Sequence, residues 1–213
     1  MTTAAPYPVT LEVEYPHKLS RLSTLFRIFL YVPVFTFIWL AIGSPTISSF
    51  FAPFGGPFRG GFLRIFVPVG GVGGAIWAAI IVRQYIPHWL FDFQVALMRF
   101  EVRAAGYVSL LTDRFPTFEG EYPINFNVVY PDRLNPWKVL IWKVITSIPH
   151  LIILAFLGAA TVLVVVIAWF AILFMGSYPR GLHDFVAGVL RWQFRVQGYI
   201  LSLTDEYPPF SLK

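Results

Sequence analysis

The sequence contains no cysteine and little charge. Of its 213 residues 13% are charged, whereas a typical soluble domain has about 25%. The absence of cysteine excludes disulfides, thiolate nucleophiles and cysteine-ligated metal centres. The shortage of charge, together with 57% hydrophobic residues, excludes a disordered chain and an ordinary cytosolic enzyme. These absences predict an integral membrane protein.

The charge that is present is mostly basic. The net charge is +5 and the isoelectric point is near 9.6. Because the basic residues lie beside apolar runs, we expect anionic membrane lipids as partners rather than nucleic acid. The sequence shows no motif for a cofactor, a metal or a catalytic group, and we expect none of the three.

Three apolar blocks predict membrane-spanning helices. The third block, 141–176, would extend about 54 Å as one helix, whereas a hydrocarbon core is about 30 Å thick. We therefore predict a helical hairpin that turns near Gly158, with one long tilted helix over 141–176 as the alternative. The predicted spans are about 24–42, 65–86, 140–157 and 160–176.

The basic residues also predict an orientation. Of the 16 Lys and Arg residues, only Arg59 and Arg64 fall between the first two spans. Because Lys and Arg in short loops stay on the cytoplasmic side, we predict a multi-pass protein of the cell membrane, with both termini in the cytoplasm.

The sequence repeats itself. Residues 87–118 align with 179–210 at a constant offset of 92, and 13 of the 32 positions are identical. Upstream, YPVTLEVEYPHKL aligns with YPINFNVVYPDRL at an offset of 115. We predict a mainly α integral membrane fold of two tandem repeats, 1–118 and 119–213. Each would hold a short β-strand, a two-span transmembrane hairpin and an interfacial amphipathic helix, and the first repeat would add an insert at 43–64.

The repeat predicts a symmetric sheet and an asymmetric insert. Segments 9–14 and 124–129 alternate apolar with mostly polar residues, which is a strand signal. A pseudo-two-fold axis along the membrane normal would make these strands antiparallel, to each other or to equivalents in a neighbouring chain. It would also place the two T-D-x-[FY]-P-x-F tails equivalently. The Gly-, Pro- and Phe-rich stretch 43–74 is expected to dip into the membrane or to dock another subunit.

Basic side chains near the spans and on the amphipathic helices are predicted to contact lipid headgroups. Packing of those helices on the chain's own spans is a compatible alternative. Two aspartates in the L-T-D-x-[FY]-P tails are predicted to form structural turns, paired with Arg103, Arg195 or a strand. The predicted headgroup residues are Arg99, Arg103, Arg191, Arg195, Arg27 and Lys143. The predicted turn residues are Asp113 and Asp205.

Four motifs resemble a family of polytopic bacterial membrane proteins that is known only as a domain of unknown function. They are S-I-P-H from Ser147, A-W-F-A-I-L-F-x-G-x-Y-P-R-G from Ala168, R-W-x-x-R-V from Arg191 and L-T-D-E-Y-P-P-F from Leu203. The resemblance covers nearly the whole chain as two copies, the second of which matches better. It implies a membrane location and no established activity.

Three functions remain open from the sequence. We favour a non-catalytic accessory, assembly or lipid-organising subunit, acting as a homo-oligomer or within a larger membrane complex. An oligomeric pore or transporter is the alternative, although no charged residue is predicted at a span midplane. A lipid-modifying enzyme is the third, with Asp113, Asp205, His150 or His183 as candidates.

Overall fold

The computed structural model describes residues 7–16, 19–42, 71–83, 85–131, 134–135 and 142–213. The predicted insert, 43–64, lies outside the described residues, as does most of the stretch 43–74. In chain order the elements are β1 (Val9–Val13), α1 (Arg21–Ile42), α2 (Gly71–Arg83), α3 (His88–Val108), β2 (Ile124–Val128), α4 (Lys143–Met175) and α5 (Arg180–Ile200).

Strands β1 and β2 form a two-stranded antiparallel sheet, as predicted. Val9 pairs with Val128 and Val13 with Ile124, so the register is centred on the pair Leu11 and Phe126. Alternate side chains are buried and exposed along both strands, because successive side chains point to opposite faces. An isolated pair of strands is marginally stable, and the apolar face of this sheet is covered by helices.

Helices α3 and α5 are equivalent in sequence, and each packs on the strand of the other half. Both are 21 residues long and their starts are 92 residues apart. A Cβ added to Gly106 in α3 would overlap the end of Ile124 in β2. A Cβ added to Gly198 in α5 would lie 3.2 Å from Val9 Cγ2 in β1. Residues 1–118 (the first half) and 119–213 (the second half) are therefore interlocked, and neither contains a complete core of its own.

The two helices also end alike. Leu110 and Ser202, one residue past each C-cap, have left-handed φ values of 64° and 62°. The next N–H bonds back to the carbonyl of Gly106 or Gly198, at 2.9 Å in both, which is the pattern of a Schellman cap. The chain thus leaves both helices in the same direction relative to the helix, and the two tails begin equivalently.

Each tail is held by a tyrosine of the opposite half. The Tyr122 hydroxyl donates to Arg114 O at 2.6 Å, and the Tyr7 hydroxyl donates to Glu206 O at 3.2 Å. Tyr7 and Tyr122 are equivalent at the offset of 115, and the two acceptors at the offset of 92. These matched bonds extend the symmetry from the helices to the tails.

The predicted hairpin in the third apolar block is wrong. Residues 143–175 form one unbroken helix, α4, which is the single long helix of the alternative. Where a turn was expected, Thr161 Oγ1 donates to Leu157 O at 2.8 Å, and the left-handed glycine is Gly176 at the helix end. The Gly-Ala-Ala sequence at Gly158 offers no turn chemistry, because alanine is the best helix former and one internal glycine costs only about 1 kcal/mol. The predicted fold of two repeated two-span hairpins is therefore wrong.

Helix α4 is the membrane-compatible element. Among the described residues one helical segment, Ile145–Met175, is long and apolar enough to cross a membrane, and the apolar segment Gly73–Arg83 of α2 is shorter. Only 17% of the most apolar stretch of α4 is buried, which distinguishes it from the core helix of a soluble protein. This exposure supports membrane association.

Both ends of α4 contact the same body of the protein. At the N-terminal end Lys143 Nζ donates to Thr204 O at 2.7 Å. At the C-terminal end Arg21 Nη2 donates to Phe174 O at 3.2 Å. The elements beside α4 therefore extend along its length. The multi-pass arrangement and the cytoplasmic location of the termini stay predictions.

The predicted interfacial helices are packed inside the protein. In α5, Arg191 and Gly198 face β1, whereas Trp192 and Tyr199 face α4. Twelve of its residues are buried. The alternative, in which these helices pack on the chain's own spans, describes the contacts.

Candidate functional site

The sheet presents a polar face. Its exposed side chains are Thr10, Glu12, Asn125 and Asn127, which alternate with the buried apolar residues of each strand. A cleft of about 580 Å³ opens here beside Arg99 and Arg103, and Glu12 and Glu119 also line it. The cleft therefore mixes two cations with two carboxylates and three neutral polar side chains.

Two equivalent arginines close the outer edges of the sheet. Arg99 Nε donates to Phe126 O at 3.3 Å, and Arg191 Nε donates to Leu11 O at 3.0 Å. These bonds occupy the edge carbonyls that another strand would otherwise use. Neither guanidinium makes a further hydrogen bond within the described part of the chain.

Arg103 is bound by its own backbone. Its terminal nitrogens donate to Thr117 O at 2.7 Å, to Gly120 O at 3.0 Å and to Glu119 O at 3.4 Å. The guanidinium carbon lies 4.9 Å from the ring centre of Tyr122. Burial and the charge of Arg99 lower the pKa of Arg103, and the carbonyl dipoles stabilise its positive charge.

The equivalent residue, Arg195, has no such partners. It makes no hydrogen bond to any described residue, and its Nε atom is buried without a partner, as is that of Arg103. Burial and the charge of Arg191 lower the pKa of Arg195. Since Arg191 and Arg195 lie one helical turn apart, two like charges are neighbours on the surface of α5.

A difference in the tails explains the difference between the arginines. Gly120 has a φ of 84°, which glycine adopts at little cost and which helps to turn three carbonyl groups toward Arg103. The equivalent position holds Leu212. Leu212 packs instead at Gly188, where a Cβ would lie 2.8 Å from Leu212 O. The second tail therefore leaves Arg195 without carbonyl partners.

The two predicted turn aspartates are ion-paired, but not with the arginines we expected. Asp113 pairs with Arg27, and Asp205 Oδ1 lies 2.8 Å from Lys143 Nζ. Arg27 is 3% exposed and Lys143 is fully buried. Arg27 and Lys143 are equivalent at an offset of 116, so the two halves hold matched buried ion pairs.

These ion pairs fix the ends of α3 and α5. Arg27 Nη1 donates to the backbone carbonyl oxygen of Tyr107 at 2.8 Å. The guanidinium carbon of Arg27 lies 4.6 Å from the centre of the Tyr107 ring. Lys143 Nζ lies 5.1 Å from the ring centre of Tyr199. The cations thus stabilise helix C-termini, and the headgroup role predicted for Arg27 and Lys143 stays a prediction.

Sequence reasoning missed a buried pair between α3 and α5. Glu101 is 1% exposed, and Gln197 Nε2 donates to its Oε2 atom at 2.6 Å. Burial raises the pKa of Glu101 to about 7. An acidic residue on an apolar helix face, with Leu97 and Ala105 one turn away on each side, was the available signal.

The other candidate catalytic residues are held apart from one another. His150 Nδ1 accepts from Trp192 Nε1 at 3.1 Å, and its ring stacks on Phe210. His183 lies 3.2 Å from Asp184. Within the described ranges no hydrogen bond joins two of the four candidates His150, His183, Asp113 and Asp205.

Comparison with known proteins gives one match. No curated protein and no solved structure matches the chain. A family profile described as "Domain of unknown function (DUF4389)" matches residues 138–211. That range holds α4, α5 and the second tail, so the match lies in the second half of the chain.

Proposed function

We propose that the protein is a non-catalytic membrane protein that acts as an accessory, assembly or lipid-organising subunit. The observation that carries the proposal is the packing of α4, which exposes a long apolar surface, directly on α5, which carries Arg191 and Arg195. Apolar anchoring and basic recognition are thus joined in one unit, and this combination suits a surface of anionic lipid.

The apolar part of the proposal rests on the surface of α4. A soluble monomer rarely exposes a continuous apolar patch of more than a few hundred Å², and α4 exposes large hydrophobic side chains along most of its length. Those at least half exposed are Ile145, Ile152, Phe156, Leu163, Val166, Ile167, Phe170, Phe174 and Met175. Lipid chains are the proposed cover.

The non-catalytic part rests on the engagement of the titratable groups. Asp113 and Asp205 hold buried cations, and the His150 ring lies between aromatic side chains. These contacts serve the fold, and they leave the terminal nitrogens of Arg191 and Arg195 as the chemistry offered to a partner.

We further propose that both halves derive from one DUF4389 unit and that the termini lie in the cytoplasm of a bacterial cell. The matched contacts of the two halves support a common origin. A reporter enzyme fused after Lys213 should be active in the cytoplasm, and periplasmic activity would contradict the orientation.

Membrane fractionation tests the proposal. The protein should stay in the membrane fraction after alkaline carbonate extraction. The double variant Phe156→Glu and Leu163→Glu should be released, because each charge at a helix centre costs about 2.5–3.5 kcal/mol. Phe115→Glu, an equally drastic change at a half-exposed tail residue, is the control and should be retained. Release of the unchanged protein from the membrane would contradict the proposal. A homomeric ring that conducts ions would favour the alternative function, an oligomeric pore or transporter.

A further inference from the structure

The two halves differ most in what surrounds one arginine. The terminal nitrogens of Arg103 donate to three backbone carbonyls, whereas Arg195 makes no hydrogen bond to the described residues. A guanidinium offers five N–H donors in a planar fork. Because the described residues give the terminal nitrogens of Arg195 no acceptor, these nitrogens can donate to an acceptor from outside the chain.

The neighbours of Arg195 add positive charge. Arg191 lies one helical turn before Arg195, and only its Nε atom bonds to the sheet, at Leu11 O. In the first half, Glu119 lines the cleft beside Arg99 and Arg103. The equivalent of Glu119 in the second half is Ser211, so a carboxylate is replaced by a neutral hydroxyl. At this position the second half therefore lacks a carboxylate that the first half has, whereas at the equivalent of Arg114 it carries Glu206.

A tyrosine of the opposite half also lies near the site. Burial and the charge of Glu206 raise the pKa of the Tyr7 hydroxyl, and the nearby charge of Arg195 opposes that rise. Tyr7 is the equivalent of Tyr122, whose ring lies against Arg103. The second half thus keeps the aromatic neighbour of the arginine and lacks the carbonyl partners.

We propose that Arg191 and Arg195 bind a phosphate group, the anion of a phospholipid headgroup or of a free phosphate ester. This inference rests on the proposed function and names its ligand class. Two guanidinium forks one helical turn apart can both donate to the oxygens of one phosphate, and bidentate arginine–phosphate bonds are among the strong hydrogen bonds of proteins. The bound anion would also relieve the repulsion between the two cations.

Matched variants test the site. Arg191→Gln and Arg99→Gln each remove one bond to a strand carbonyl, so their structural costs are alike. We expect Arg191→Gln and Arg195→Gln to weaken anion binding at least about five-fold, the factor that corresponds to roughly 1 kcal/mol per basic side chain at an anionic surface. Arg99→Gln should leave binding unchanged, and Arg195→Lys should be intermediate because it keeps the charge without the fork.

Two probes separate the sources of the phosphate. The protein in mild detergent is titrated with inorganic phosphate by calorimetry. It is also floated with vesicles of phosphatidylcholine, with and without phosphatidylglycerol. If phosphatidylglycerol increases the amount of protein that floats, and Arg195→Gln abolishes this increase, the ligand is a lipid headgroup. If Arg195→Gln abolishes phosphate binding but phosphatidylglycerol does not increase flotation, the ligand is a free phosphate ester. That result would contradict the lipid-organising function.

Other outcomes overturn one proposal or the other. Equal losses in Arg99→Gln and Arg191→Gln would show general attraction to a basic body and would overturn the site. Flotation that is indifferent to phosphatidylglycerol, together with no phosphate binding, would overturn the site and leave the membrane anchor standing. Failure to float with any vesicle would contradict the anchor, and the phosphate titration would still decide the site.

Discussion

Arg103 and Arg195 stand at the same position of two helices of equal length, but their surroundings differ. Three carbonyl groups of the first tail surround Arg103, whereas the second tail turns away and Leu212 packs at Gly188. The same residue therefore serves the fold in one half and remains available to a ligand in the other.

The ion pairs allow the largest test of the comparison. Asp113→Ala should lower the free energy of unfolding by about 3–5 kcal/mol, because it leaves the buried Arg27 charge without its partner. Asp205→Ala should cost less, because an unpaired amine can release its proton whereas a guanidinium cannot. Urea unfolding in detergent measures both variants, and a larger loss in Asp205→Ala would contradict this explanation.

Glu101 is a second asymmetry, because its equivalent in α5 is Gln193. The folded protein raises the pKa of Glu101 from 4.5 to about 7, so the folded state holds a proton that the unfolded state releases. Stability should therefore fall by roughly 2–3 kcal/mol as the pH rises from about 4.5 to 7, and level off above.

Glu101→Gln places the residue of the second half in the first and provides the control. Its stability should be nearly independent of pH over that window, and near pH 8 it should exceed that of the unchanged protein. Thermal unfolding at pH 5 and pH 8 gives the comparison. A pH dependence that survives in Glu101→Gln would assign the effect to other groups.

The edge arginines should give the smallest and most symmetric effect. Arg99→Gln and Arg191→Gln each lose one charge-assisted bond to a strand carbonyl, worth about 1–2 kcal/mol. The two variants should lose the same stability within about 0.5 kcal/mol. Chemical denaturation checks this, and unequal losses would mean that the two edges of the sheet are not equivalent.

Local signals in the sequence predicted the symmetric features. Alternation between Tyr-Pro pairs predicted both strands, and the offset of 92 predicted equivalent helices and tails, because each depends on residues close in the chain. The prediction of a hairpin near Gly158 was wrong because it rested on the length of the apolar block relative to the membrane thickness. No residue at the expected turn supported a turn.

Long-range contacts were harder to predict. The partners of Asp113 and Asp205 come from segments that follow a different offset, 116 rather than 92, so one alignment could not pair them. The partners of Arg103 depend on one left-handed glycine, Gly120. No periodicity shows where such a turn directs its carbonyl groups.

The division of labour between Arg103 and Arg195 is tested most directly by measuring two properties of two variants. We predict that Arg103→Gln loses about 2 kcal/mol of stability and keeps its affinity for phosphatidylglycerol vesicles. Arg195→Gln should keep its stability within about 0.5 kcal/mol and lose at least about five-fold in affinity. If both variants lose the same property, the two arginines do the same work, and the proposed difference between the halves is contradicted.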